Sequence, residues 1–134
     1  MIRISGIIFA IASVAVAAFQ VALALGVPWG AYAMGGVYPG QFPNPLRFGA
    51  ITQALILLFL AAAVLARAGV AFPKLARPSS WLVWIAVAFT AVSFLLNLIT
   101  PSQGERLLWA PVAFVMLASS LVVAIGMRKT DMSK

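Results

Sequence analysis

The chain has 134 residues, 64% of them hydrophobic and 8% charged, with a mean hydropathy of +1.11 and a formal net charge of +7. A water-soluble domain of this size cannot hide so much apolar surface, so composition excludes an ordinary soluble fold and predicts an integral membrane protein. The basic residues are sparse and sit at the ends of apolar runs, which ties the charge to membrane topology and predicts no nucleic-acid partner.

The first apolar run, about residues 4–27, carries no charge. It exceeds the ~20 residues that cross a bilayer core. Ala15-Val16-Ala17 has the small-x-small form of a leader-cleavage site, but the run continues ten residues beyond it, which favours a retained span. Loop one follows, uncharged between Val27 and Leu46, with four prolines, four glycines and the aromatics Trp29, Tyr32, Tyr38 and Phe42. Proline and glycine prevent a continuous helix, and the aromatic content argues against disorder. Loop one is therefore expected to fold back as an ordered cap, turning at Gly35-Gly36 and Pro39-Gly40, and to serve as a lid, a recognition surface or a plug.

The second span is expected over about residues 47–66. A basic connection (Arg67, Lys74, Arg77) leads to the third, about 80–100, which opens with Trp81 and Trp84 at headgroup level. The fourth, about 105–127, carries Trp109 near its start and ends in Arg128, Lys129 and Lys134. With Arg3, one side of a four-span chain holds seven Lys and Arg, against Arg47 and Arg106 on the other. The positive-inside rule then puts both termini in the cytoplasm and loops one and three outside. The expected fold is one all-α membrane domain, an antiparallel bundle of four transmembrane helices. Small residues four apart (Gly6 and Ala10, Ser13 and Ala17, Ala50 and Ala54, Ala62 and Ala66) suit close helix packing within the chain, and an oligomer interface is the alternative.

Polar residues inside the spans share a depth. Gln20 lies six residues before Gly26 and Gln53 six after Arg47, so both sit about 9 Å below the outer boundary at 1.5 Å per residue. Ser93 falls at that level too, with Asn97 one turn away on the same face. Amides facing lipid would be unpaired, so Gln20, Gln53, Ser93 and Asn97 are expected to turn inward as one layer, bonding across helices or meeting a ligand. Pro111 should kink the last span and free the carbonyl of Leu107, with Gln20, Gln53 or water as partner. Ser102-Gln103-Gly104-Glu105 has the form of a capping box. Alternatively Glu105 pairs with Arg47 across the bundle, while Arg106 reaches for the headgroups.

The run Gly26-Val27-Pro28-Trp29-Gly30, then Gly35-Gly36, Pro39-Gly40, Arg47, Asn97 and the Ser102, Glu105, Arg106, Trp109, Pro111 series resembles a group of small bacterial four-helix membrane proteins over its full length. The resemblance implies a bacterial inner (plasma) membrane location. It implies no substrate, cofactor or catalytic residue.

The side-chain inventory narrows function further. Glu105 and Asp131 are the only carboxylates and fall on opposite sides of the expected bilayer, so no acid–base pair forms. Cysteine and histidine are absent, which removes the usual metal and haem ligands and the Cys-His and Ser-His nucleophile systems. Every lysine lies at or beyond a cytoplasmic helix end, no phosphate-binding loop is present, and no span buries the carboxylate that proton-coupled export requires. The expectation is a non-enzymatic protein without cofactor. Its role is either that of an accessory protein meeting a membrane partner, a second copy or lipid, or that of a conduit or binding protein for a small uncharged solute or lipid.

Overall fold

The computed structural model describes residues 1–132, so Lys134 of the basic tail lies outside the described residues. Those residues form four helices: α1 Ile2–Ala24, α2 Asn44–Arg67, α3 Ser79–Ile99 and α4 Gln103–Met132. All four are long and apolar enough to cross a bilayer, and no strand occurs among the described residues. Only 22–39% of the most apolar stretch of each helix is buried. Ile4, Ile11, Leu55, Phe59, Ile85, Leu95 and Phe114 instead point outward. In water such a surface would aggregate, whereas in hydrocarbon it is the solvated face.

Helix boundaries follow local chemistry. After α1, Gly26 adopts φ 96°, Val27 N–H donates to the Ala22 carbonyl and Gly26 N–H to Leu23. Gly69 closes α2 in the same way through Val70 to Leu65 and Gly69 to Ala66. Both are paired-amide stops that need a left-handed residue, which glycine supplies without a Cβ clash. α4 runs past the expected end at 127 to Met132.

Arginines at helix starts meet the ends of neighbouring helices. Arg3 donates to the Gly69 carbonyl at 3.1 Å, Arg106 donates to the Thr100 carbonyl at 2.7 Å, and the Arg47 guanidinium lies against Gly26. Helix C-termini carry partial negative charge, so each cation sits where the helix dipole favours it. Arg106, expected to reach for the headgroups, stays exposed while donating to the end of α3.

The small-residue faces turn into the bundle. Gly6, Ser13 and Ala17 are buried on α1, as are Ala50, Ala54 and Ala66 on α2. A methyl group added to Gly6 would lie 2.7 Å from Ala68 Cβ, so the α1 backbone runs directly against the end of α2. Ile2 packs in the same way on Gly126 of α4. Beyond these contacts Phe9, Val64, Val83 and Val123 are fully buried in the main core. Arg67 pairs with Asp131 at 2.6 Å, the one ion pair among the described residues. We call this the terminal end, and the opposite one, where loop one meets α4, the capped end.

Candidate functional site

The packing changes along the bundle. α3 buries Ser79, Leu82, Val83, Ala86 and Thr90 but nothing from Ala91 to Ile99. On α2, only Ala50 and Ala54 are buried before Leu57. α2 and α3 are also the most loosely joined of the neighbouring helix pairs. The space left between them toward the capped end is a cavity of about 460 Å³. That lies within the ~300–1,000 Å³ typical of small-molecule sites.

Gln20 of α1, Gln53 of α2, and Ser93 and Asn97 of α3 all line this one cavity. Their bonding differs from a cross-helix network. Asn97 donates to the Ser93 backbone carbonyl at 2.7 Å, one turn back on its own helix. The side-chain amides of Gln20 and Gln53 make no hydrogen bond to any described residue. The amide hydrogen-bonding capacity of both side chains is therefore available inside the cavity. Leu57, Thr90 and Met116, all nearly inaccessible, form the floor. Two turns further along the same helices lie Val64, Val83 and Val123, each with no exposed surface. The site is blind toward the terminal end.

Loop one closes the top. Single turns of 3-10 helix at Gly30–Tyr32 and Met34–Gly36 bring Tyr32, Ala33 and Met34 over the cavity. The loop is tied to itself by Gly30 N–H donating to the Gly40 carbonyl at 3.0 Å. Phe42 anchors it to the bundle, buried with Leu23 and Ala50 in a small separate core. Three bonds reach the start of α4 across more than seventy positions of sequence or close to it. Ser102 Oγ donates to the Ala31 carbonyl at 2.7 Å, Trp109 Nε1 to the Tyr32 carbonyl at 2.9 Å, and Gly35 N–H to Glu105 Oε2 at 2.8 Å. The Tyr32 ring lies directly on Gly104, leaving no room there for a side chain. Trp29 stacks on Phe19, which in turn meets Trp109 with ring centroids 4.7 Å apart. Trp29 and Tyr38 do not line the cavity; Tyr38 packs edge-on against Phe42 at 6.4 Å.

Three sequence expectations are corrected here. Arg47 and Glu105 do not pair: Arg47 Nε donates to the Phe42 carbonyl at 2.8 Å, and the Glu105 carboxylate accepts from Gly35 N–H and from Thr100 Oγ1 at 3.2 Å. Each finds a nearer backbone partner than the other. Only half of the capping box forms. Ser102 Oγ accepts from Glu105 N–H at 3.2 Å, but the Ser102 amide donates to Thr100 Oγ1, so the carboxylate is released toward loop one. Finally, Pro111 and Leu107 both sit on the exposed face of α4, away from Gln20 and Gln53, and α4 continues as helix through the proline. The glutamines are not partners of a freed carbonyl.

The lining is mostly apolar and aromatic, with the uncharged polar side chains of Gln20, Gln53, Thr90, Ser93 and Asn97 and one carboxylate, Glu105. Such a surface binds a neutral molecule by shape and a few hydrogen bonds. Among the described residues no cluster of His, Cys, Asp or Glu suited to a metal ion is present. No family model, curated protein or solved structure matches the chain.

Proposed function

We propose that this chain is a multi-pass protein of a bacterial plasma membrane that binds a small uncharged ligand in the cavity beneath loop one, without catalysis. The observation that carries the reading is the convergence of Gln20, Gln53, Ser93 and Asn97 on one cavity in which both glutamine amides lack a protein partner. Leaving an amide unpaired away from water costs roughly 1–3 kcal/mol by protein mutational data, so a ligand or trapped water that completes those bonds is favoured. The blind floor favours holding over conduction.

Orientation belongs to the same proposal. The helices alternate in direction, both termini are cytoplasmic, and the capped end faces outward. Support comes from the seven-to-two distribution of basic residues. The bacterial setting rests on the resemblance described above.

The test is native mass spectrometry of protein released from mild detergent. The wild type should carry a bound small molecule, and Gln20→Leu with Gln53→Leu should lose it while circular dichroism stays unchanged. A wild type without adduct, or an adduct indifferent to the double substitution, would sink the reading. The accessory role draws on a different observation, the exposure of Trp29, Val37 and Tyr38 on the cap. A stoichiometric protein partner lost on Trp29→Ser and Tyr38→Ser would favour it.

A further inference from the structure

The walls of the cavity are not continuous. Gly49 on α2 and Leu96 on α3 both line it, yet both are exposed on the outside of the bundle, Leu96 by 57%. Leu96 stands on the part of α3 that has no buried residue, and α2 and α3 are the most loosely joined of the neighbouring helices. A methyl group added at Gly49 would meet nothing within 4 Å. Glycine in a helix interior costs ~0.8–1 kcal/mol relative to alanine, and here no neighbouring backbone requires it. What its missing side chain leaves is a gap in the wall, on a face of α2 exposed outside the bundle.

We infer that the gap between Gly49 and Leu96 is a lateral portal, and that the ligand is a neutral amphiphile entering sideways from the leaflet on the capped side. This rests on the binding role proposed above and names the ligand class. The head is held by the amides of Gln20 and Gln53, and the hydrocarbon chain leaves between α2 and α3. Several observations fit a bilayer-dissolved ligand better than one from water. Loop one is bonded down over the top at three points, whereas the α2–α3 side has no such closure. Among the described residues Glu105 is the only charged side chain lining the cavity, and it disfavours an anionic head. A neutral head with hydroxyl groups satisfies both glutamine amides without bringing an unpaired charge into a low-dielectric site.

The probe is a long-chain monoacylglycerol with a photoreactive diazirine in its chain, in vesicles of phosphatidylethanolamine and phosphatidylglycerol holding the full-length protein. Irradiation should label peptides of α2 and α3. Gly49→Phe fills the gap and should cut labelling about tenfold, while Gly49→Ala stays within about twofold. Leu96→Trp narrows the portal from the other side and should act like Gly49→Phe. The same chain on a phosphate head should not label. Undiminished labelling in both portal variants, or equal labelling by the phosphate probe, would overturn the inference. If labelling survives the portal variants but vanishes in Gln20→Leu with Gln53→Leu, sideways entry falls and the binding role stands. If none of these substitutions matters, both fall.

Discussion

The bond between Glu105 and Gly35 holds the turn of loop one nearest the cavity, and its removal has a calculable effect. Gly35 N–H and Thr100 Oγ1 both donate to the same carboxylate oxygen, at 2.8 and 3.2 Å. A hydrogen bond to a charged group contributes ~1.5–3 kcal/mol net. Both bonds are only partly buried, so the lower end applies. Glu105→Ala should then favour opening of the 34–36 turn by about 1.5 kcal/mol, roughly a tenfold rise in its open population. Glu105→Gln keeps a neutral acceptor and should fall between, near threefold to fivefold. Amide hydrogen exchange read by mass spectrometry in detergent micelles gives the result directly. Peptides spanning Gly35 should exchange faster in the order wild type, Gln, Ala, while α2 peptides remain unchanged because Ser102 and Trp109 still hold Ala31 and Tyr32. Equal exchange at Gly35 in all three proteins would refute the latch. So would uniform loosening of α4, which would return Glu105 to a capping role.

Two further outcomes test the frame around the site. Gly6→Ala places a methyl 2.7 Å from Ala68 Cβ, about 1 Å inside ordinary contact, so it should destabilise by ~1–3 kcal/mol relative to Gly49→Ala, whose methyl meets open space. Matched unfolding curves in dodecyl sulfate, followed by helical circular dichroism, would contradict the close α1–α2 approach. A reporter active only outside the cytoplasm should be silent at either chain end and active when inserted after Gly40, an exposed position whose absent Cβ has no neighbour. Activity at just one chain end would refute the orientation.

The spans were legible because hydrocarbon imposes a length and a composition that local sequence must meet. The turn through Gly35 and Gly36 and the inward turn of Gln20 and Gln53 are local properties of the same kind. The arginine contacts were not legible. Arg47 and Glu105 have complementary charge, but each lies near a backbone group of fixed geometry, a carbonyl five residues away for Arg47 and the Gly35 amide for Glu105. Choosing between them requires the path of loop one, which sequence alone does not supply. The Arg67–Asp131 pair was hidden for the same reason, since 64 positions separate its members. With Asp131 about half exposed, that pair contributes at most ~1 kcal/mol, and less at high salt.

The two halves of the bundle meet different demands, and the glutamines make the difference testable. Toward the terminal end, small residues and fully buried valines let the helices approach, and van der Waals contact holds them together in a solvent that offers no hydrophobic drive. Toward the capped end, Gln20 and Gln53 face a void that their side chains do not fill and bonds that their amides do not make. Leucine has nearly the volume of glutamine and no polar atoms to satisfy, so Gln20→Leu with Gln53→Leu should be neutral or stabilising for the fold. If the glutamines held the helices together, the same pair of changes would destabilise the bundle. A variant at least as stable as the wild type that no longer retains a ligand would therefore assign these residues to binding, whereas a fall in stability would return them to packing.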